Sequence, residues 1–173
     1  MLNLNFNPFP VIDTERLVLR QLAAADAAEL FYIRTHPDVL RYTNMAVHQN
    51  VAQTQAYIEL ILGNELRGES IMWAMTLKDD PKIIGTICFW NIEPENDLAE
   101  IGYILDPDLH GKGLMGEAVS AVVAYGFDAM KLQTIIAELH KDNLASVQLL
   151  IRRGFVKKSS SEDPVVIYTL DRN

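Results

Sequence analysis

The chain has 173 residues, 49% of them hydrophobic and 22% charged, which is typical of a globular protein and predicts a single domain over residues 1–173. One cysteine excludes a disulfide framework, and a net charge of −8 argues against nucleic acid and favours a cationic partner such as an amine. No apolar run approaches the roughly 20 residues of a membrane span, and the first residues lack a basic, then apolar leader pattern. We therefore expect a cytoplasmic protein without membrane contact.

The first half of the chain predicts a strand, two helices and an antiparallel meander. Residues 14–21 alternate apolar and polar side chains, whereas the alanine-rich residues 23–34 indicate a helix that Pro37 ends. Asn50 caps a second helix that runs to about Arg67. Three strands follow with short turns between them, which implies antiparallel neighbours. They are expected over residues 70–77, 83–92 and 98–105.

The second half predicts a βαβ unit and a final pair of strands. The expected elements are a helix over 117–130, a strand over 133–139, a helix over 144–153, and strands around Phe155 and over 165–170. The polar residues 157–163 predict a loop between the last two strands. The order β-α-α-β-β-β-α-β-α-β-β gives a mixed sheet of about seven strands flanked by helices, on the border between the α+β and α/β classes.

The loop before the helix predicted over 117–130 carries the chemical signal. Residues 106–116 read Asp-Pro-Asp-Leu-His-Gly-Lys-Gly-Leu-Met-Gly, so three glycines leave backbone N–H groups uncovered at a helix N-terminus. The helix dipole adds partial positive charge there, and a phosphate or pyrophosphate fits such a place. Lys112 supplies a cation. The alternative is a tight turn that needs glycine for its dihedral angles.

The same loop also matches a dinucleotide-binding pattern. Residues 111–116 fit G-x-G-x-x-G, and Glu138 falls near the expected acidic position at the end of the next strand. The context argues against this alternative, because the pattern normally opens a series of βαβ units. Here three meander strands come first, and too little chain remains for a doubly wound sheet.

Several ordered segments resemble the GNAT superfamily of acetyl-CoA-dependent N-acetyltransferases, in particular its RimJ/RimL-like branch of ribosomal-protein N-terminal acetyltransferases. The segments are Thr-Glu-Arg-Leu-Val-Leu-Arg at 14–20, Ile-Ile-Gly at 83–85, Ala-Glu-Ile-Gly-Tyr at 99–103, the loop and helix start at 110–118, and residues 143–146 running on to Gly-Phe at 154–155. The family loop reads Q/R-x-x-G-x-G/A. This chain departs from it at His110 and Met115.

The resemblance implies acetyl-CoA as cosubstrate and no metal. It places Ile104 and Leu105 along the pantetheine arm, which enters the sheet like an added strand between two splayed strands. It places Asn143 near the pantetheine and Ser146 near the sulfur. The pyrophosphate would be held by the loop residues Leu109, His110, Gly111, Lys112, Gly113, Leu114, Met115 and Gly116.

Direct transfer of an acetyl group to an amine needs a base, a donor to the oxyanion and a donor to the leaving thiolate. Glu100 is the candidate base, directly or through water, because its strand ends at the proposed site. The oxyanion donor is the backbone N–H of Leu105 or of a near neighbour. Many family members carry a tyrosine acid where this chain has Leu150, which leaves Ser146 as the donor to the sulfur. The alternatives are a solvent-facing glutamate and a serine that satisfies backbone groups.

The acceptor is left open by the sequence. The resemblance suggests a protein N-terminal α-amine, and a small-molecule amine such as an amino acid, polyamine or aminoglycoside is the alternative. A further alternative is a module that binds acyl-CoA without catalysis, since the tyrosine is missing and the loop is altered. For the oligomeric state the resemblance suggests a homodimer. Tyr42, Met45 and Trp73 either line the acceptor site or belong to the core.

Overall fold

A computed structural model describes residues 1–158 and 163–173, in which five helices flank one eight-stranded sheet. The strands are β1 (Ile12–Asp13), β2 (Leu17–Gln21), β3 (Ile71–Leu77), β4 (Asp80–Glu93), β5 (Leu98–Leu105), β6 (Thr134–His140), β7 (Val156–Lys157) and β8 (Val165–Asp171). The helices are α1 (Ala27–Thr35), α2 (Pro37–Leu40), α3 (Val51–Leu66), α4 (Leu114–Tyr125) and α5 (Leu144–Arg152). The sheet order is β1-β2-β3-β4-β5-β6-β8-β7.

The mixed sheet and the antiparallel meander predicted from the sequence are confirmed. β2 to β5 pair antiparallel in chain order, β5 and β6 pair parallel, and β8 lies antiparallel between β6 and β7. The short strand β1, which the sequence did not predict, brings the number of strands to eight. The predicted loop over residues 157–163 falls largely on residues 159–162, which lie outside the described residues.

In the N-terminal half of the chain, two helices begin differently from the prediction. A 3-10 turn over Ala24–Asp26 precedes α1, because the Asp26 carboxylate accepts from the N–H of Ala23 at 2.8 Å and pairs with Arg20. Pro37 does not simply end α1 but begins α2, where its fixed φ suits the first helical position. The residue before it, His36, is extended, as steric contact with a following proline requires.

The helix after the glycine-rich loop begins three residues earlier than predicted, at Leu114 rather than Glu117. Leu114 and Met115 are buried against the sheet, which draws them into the first helical turn. Helix α4 is also shorter than predicted at its other end, where a π-helical turn covers Gly126–Met130. The side chains of Leu114 and Met115 are therefore core, and only their backbone faces the loop.

The two faces of the sheet bury separate cores. Alternation along β5 turns Ala99, Ile101 and Leu105 toward α4, in a main core that also contains the fully buried Trp73. The opposite face packs Met72, Ala74 and Ile83 against α1 and α3 in a second core, which Cys88 and Ile104 border. Trp73 thus belongs to the core rather than to an acceptor site. Within the described residues, no helix has the length and apolar character needed to cross a membrane.

Candidate active site

The sheet opens between β5 and β6. These parallel strands pair at only three positions, Leu98 with Thr134, Ala99 with Ile135 and Glu100 with Ile136. Beyond them β6 stays with β8 and β5 stays with β4, so residues 101–105 have no described strand on the β6 side. The N–H of Asp106 donates to Ile84 O of β4 at 2.8 Å, so strand alternation turns the N–H and C=O groups of Tyr103 and Leu105 toward the opening.

A bulge in β4 lies beside the point where the strands part. Trp90 pairs with Glu100 and Glu93 pairs with Leu98, so β4 carries one extra residue there, and Asn91 has a φ of 47°. Such a bulge bends the strand and increases its twist locally. The Asn91 side chain also hydrogen-bonds the Glu100 carboxyl. The bulge therefore both shapes the opening and holds the acidic side chain at its base.

The loop that follows β5 presents a row of free amides. Gly111 and Gly113 both have a φ of 75°, a left-handed conformation that favours glycine. The first N–H of α4 with an intrahelical acceptor is that of Glu117, which donates to Gly113 O at 3.1 Å. Within the described chain, the N–H groups of residues 111–116 have no hydrogen-bond acceptor. A side chain at Gly111 would meet open space, so a ligand can approach this backbone closely.

Polar contacts from other elements hold the loop in place. The Glu117 carboxylate accepts from the Thr14 hydroxyl at 2.6 Å and from Arg16 Nε at 2.7 Å. Burial raises the pKa of Glu117, but these hydrogen bonds outweigh it, so the pKa lies below its usual value. Arg16 also donates to Lys112 O at 2.8 Å, and His110 Nε2 donates to Leu105 O at 3.0 Å. The N-terminal motif at 14–20 thus fixes the glycine loop from a distance.

Glu100 is a buried acid at the base of the opening. The residue is only 6% exposed. Burial, followed by repulsion from Glu138, raises the pKa of Glu100 to about 7, while the hydrogen bond from Asn91 opposes the shift. The solvent-facing alternative for this residue is therefore wrong. A carboxyl that titrates near neutral pH is suited to accept a proton.

Ser146 lies across the opening from Glu100. Asn143 caps α5 by accepting from the N–H of Ser146 at 3.3 Å, and the Ser146 hydroxyl hydrogen-bonds the phenol of Tyr103. Burial raises the pKa of Tyr103, and the bond to Ser146 counters part of that shift. Alternation along β5 puts Glu100 and Tyr103 on opposite faces of the sheet. The site thus has an acid on one side of the opening and a hydroxyl pair on the other.

The remaining predicted residues divide between the opening, the loop and the cores. Leu105 lines the opening with its backbone, whereas Ile104 pairs with Thr86 of β4 and turns its side chain to the border of the second core. Leu109 packs against the main core, and Lys112 is exposed. Leu150, at the position of the family tyrosine, is fully buried.

Three features of the site were missed in the sequence. They are the bulge at Asn91, the tie between Arg16 and Glu117, and the contact of Tyr103 with Ser146. Tyr103 ends the family segment at 99–103, so a phenol at that position was the signal that could have indicated its role. In the described part of the chain, no three His, Cys, Asp or Glu side chains come together as metal ligands.

The free backbone groups of the opening and the loop define a class of ligand. Free strand backbone pairs with a ligand that carries amides, and free helix N-terminal amides bind phosphate. A long ligand with both groups therefore fits the opening and the loop together. The parallel sheet that a dinucleotide site requires is not what the described strands form, since one pair alone among them is parallel.

Comparison with known proteins assigns the family. Residues 16–156 match the acetyltransferase (GNAT) domain. The chain is 34% identical over 150 residues to the uncharacterized N-acetyltransferase YoaA of Bacillus subtilis (strain 168), covering 87% of this chain and 85% of that protein. It is 27% identical over 161 residues to the ribosomal protein uS5-alanine N-acetyltransferase of Escherichia coli (strain K12), covering 90% and 83%.

A solved structure shows the same fold. The RimL ribosomal L7/L12 α-N-protein acetyltransferase, in complex with coenzyme A, superposes with a TM-score of 0.84 at 19% identity over 94% of this chain and 98% of that one. The chain belongs to the GNAT family of acetyltransferases. It is an acetyl-CoA-dependent N-acetyltransferase, and the resemblance and cosubstrate predicted from the sequence are confirmed.

Proposed function

We propose that the enzyme transfers the acetyl group directly from acetyl-CoA to a primary amine, with Glu100 as the base and Ser146 as the donor to the leaving sulfur. The amine nitrogen forms the new bond to the acetyl carbon, and the carbon–sulfur bond breaks. Before attack, the ammonium loses one proton to Glu100, directly or through water. As the carbon–sulfur bond breaks, the second nitrogen proton is lost and protonates the thiolate, which leaves as the thiol of CoA. A side-chain nucleophile is not needed when both substrates are bound together.

The observation that carries this proposal is the buried Glu100 carboxyl at the last paired position of β5 and β6. An amine is a nucleophile only after it loses its proton. A carboxyl whose pKa is raised to about 7 holds a proton far better than an exposed glutamate, yet it is still ionised in a large fraction of molecules at neutral pH. Its position places that proton acceptor where the sheet is open.

The hydroxyl pair supports the second part of the proposal. Ser146 and Tyr103 face the opening from α5 and β5, on the side opposite Glu100. A thioester that passes between the strands would then have its amine partner on one face and its sulfur on the other. Neither hydroxyl is acidic enough to protonate a thiolate fully, so the pair acts by hydrogen bonding. The Leu105 N–H, which faces the opening, is the proposed oxyanion donor.

For the acceptor we propose a protein N-terminal α-amine. Support comes from the relatives, one of which is named for acetylating the alanine of ribosomal protein uS5 and another for ribosomal-protein serine. Small amines remain the second candidate. Peptides that begin with serine or alanine, spermidine, free amino acids and an aminoglycoside should be compared as acceptors under identical conditions. Preference for the peptides supports the proposal, and turnover of the small amines alone contradicts it.

Glu100→Gln tests the base. We expect kcat/KM to fall by at least about 100-fold, a typical contribution of general base catalysis, with little change in acetyl-CoA affinity. The wild-type rate should rise through pH 7, and the variant should lose this limb. Glu138→Gln is the matched control, because it removes the repulsion that raises the Glu100 pKa. It should keep activity and move the limb to lower pH. An unchanged pH limb in Glu100→Gln would exclude Glu100 as the base.

Binding of acetyl-CoA without acetylation of any amine by wild-type protein would instead support the non-catalytic module. Ser146→Ala supplies a further test at the sulfur. A lower kcat at an unchanged KM for the acceptor is expected, because the contact is made to the leaving group.

A further inference from the structure

Helix α1 buries an arginine, Arg34, that takes no part in the proposed chemistry. Arg34 is 7% exposed, and its Nε is buried without a hydrogen-bond partner. None of the ion pairs formed by the described residues includes it. By contrast, the partly buried Arg20 holds both oxygens of Asp26 at 2.8 Å. A buried charge is costly unless it is paired, and Arg34 has no carboxylate partner among the described residues.

The surroundings place Arg34 on the face of the sheet that carries Glu100. Its guanidinium carbon lies 4.1 Å from the centre of the Tyr57 ring, a cation–π contact, and the guanidinium also hydrogen-bonds the Tyr57 phenol. The buried N–H that is left without a partner is that of Nε. Helix α1 packs on β4 and β5, and Tyr57 and Cys88 both border the second core. The charges of Glu100 and Arg34 act in opposite directions on the pKa of the Cys88 thiol of β4. A direct ion pair between them is not formed.

The segment after α2 borders the same face. Tyr42 stacks near His140, at the end of β6, with ring centres 5.7 Å apart. The neighbouring Thr43 hydroxyl is a second buried donor without a partner. On β4, Trp90 pairs with Glu100 and is 48% exposed, which gives this face an aromatic surface. The face therefore combines an acid, an aromatic ring and an unpaired buried cation.

We propose that Arg34 binds a carboxylate carried by the acceptor, so that the preferred substrate is a primary amine that also bears an acidic group. This inference rests on the proposed function, in which Glu100 receives the amine. The carboxylate would accept a hydrogen bond from the unpartnered Nε–H and would supply the counter-charge that Arg34 lacks. Two sources share this chemistry, namely the α-carboxylate of a free amino acid and an acidic side chain near the N-terminus of a peptide.

The test compares matched acceptors that differ only in charge. Serine against serinamide examines the free amino acid, and a tetrapeptide amide beginning Ser-Asp against its Ser-Asn counterpart examines the peptide. Binding to the protein–CoA complex is measured by calorimetry, and acetylation is measured in parallel. In at least one pair, the wild type should favour the acid about 10- to 100-fold, as expected for hydrogen bonds to a charged group. The pair that shows the preference identifies the source.

Arg34→Met should lower binding and acetylation of the acidic acceptor more than those of its uncharged counterpart and so remove the preference, and Arg34→Lys should retain part of it. Arg41→Met is the matched control, because Arg41 also stacks on a tyrosine but is exposed. It should keep the full preference. If Arg34→Met does not fold, the wild-type comparison and Arg34→Lys still decide.

Absence of a preference in both pairs, or one that persists in Arg34→Met, would overturn the inference. A preference in binding without any acetylation would support the Arg34 site and reject the proposed function. Acetylation of both members of each pair at equal rates and affinities would support the proposed function and reject the Arg34 site.

Discussion

Replacing Gly85 with alanine tests whether the close contact of β4 with β5 sets the position of the opening. Gly85 pairs with Leu105. A Cβ atom at residue 85 would overlap the carbonyl oxygen of Ile104 and lie 3.1 Å from Leu105 Cα and 3.3 Å from Ile104 C. All of these are backbone atoms of β5, so no side-chain rotation relieves the contact. The two strands must move apart at residues 104 and 105.

The expected magnitude follows from this geometry. Overpacking in a well-packed interior costs about 1–3 kcal/mol, and one lost cross-strand hydrogen bond adds about 1 kcal/mol. We therefore expect Gly85→Ala to lower the free energy of unfolding by about 3 kcal/mol. For a chain of 173 residues this corresponds to a Tm lower by about 6–12 °C. Acetyl-CoA affinity should also fall, because the displaced backbone borders the opening.

Differential scanning calorimetry measures the Tm, and titration calorimetry measures the affinity for acetyl-CoA. Gly63→Ala is the matched control. Its Cβ would meet only the flexible end of Arg67 at 3.3 Å, and a glycine in a helix interior costs about 0.5–1 kcal/mol relative to alanine. The control should be as stable as the wild type or more so, with unchanged affinity. A Gly85→Ala variant that melts within about 2 °C of the wild type would refute the reasoning.

Two further predictions concern the carboxylates. The pKa of Glu100 is raised to about 7 in the folded protein, above its value of about 4.3 when unfolded, so the native state loses stability as pH rises between these values. The Tm of Glu100→Gln should therefore gain on that of the wild type from pH 4 to 7 and level off above. Glu117→Gln should weaken acetyl-CoA binding up to about fivefold, equivalent to the ~1 kcal/mol of a partly exposed ion pair. Because the pKa of Glu117 is lowered in the folded protein, its stabilisation is present above the ordinary glutamate pKa and should be lost progressively as pH falls through the lowered pKa, which thermal melts of both proteins would show.

Local patterns predicted the elements that position the site. β5 was predicted with its observed limits, Leu98–Leu105, because turn residues bound it on both sides and its apolar residues alternate. The cap at Asn50 was also found, since its side chain accepts from Gln53 N at 3.0 Å. Such signals lie within a few residues of each other, so one sequence suffices to find them.

Contacts between distant residues could not be predicted in the same way. Burial of Glu100 depends on α1, β4 and β6 together, and its raised pKa depends in part on Glu138, which lies 38 positions along the chain. That Arg34 has no ion-pair partner and an unpartnered Nε is visible only after every neighbour is placed. The start of α4 was misplaced because a glycine at residue 116 is typical of a loop. In the structure Gly116 lies inside the helix, where the Arg153 side chain packs against it. Arg153 Nε donates to the carbonyl oxygen of Gly116 at 3.1 Å.

The three-pair junction of β5 and β6 has a mechanical consequence. It joins a block of five strands, β1 to β5, to a block of three, β6, β8 and β7. The rest of the edge between β5 and β6 is unpaired. A cosubstrate that hydrogen-bonds to both separated strands acts as a ninth strand. Its binding free energy then also stabilises the association of the two blocks. Amide exchange should slow together in residues 101–105 of β5 and in the facing residues of β6. When CoA leaves, these hydrogen bonds are lost, and the two blocks are then least rigidly joined.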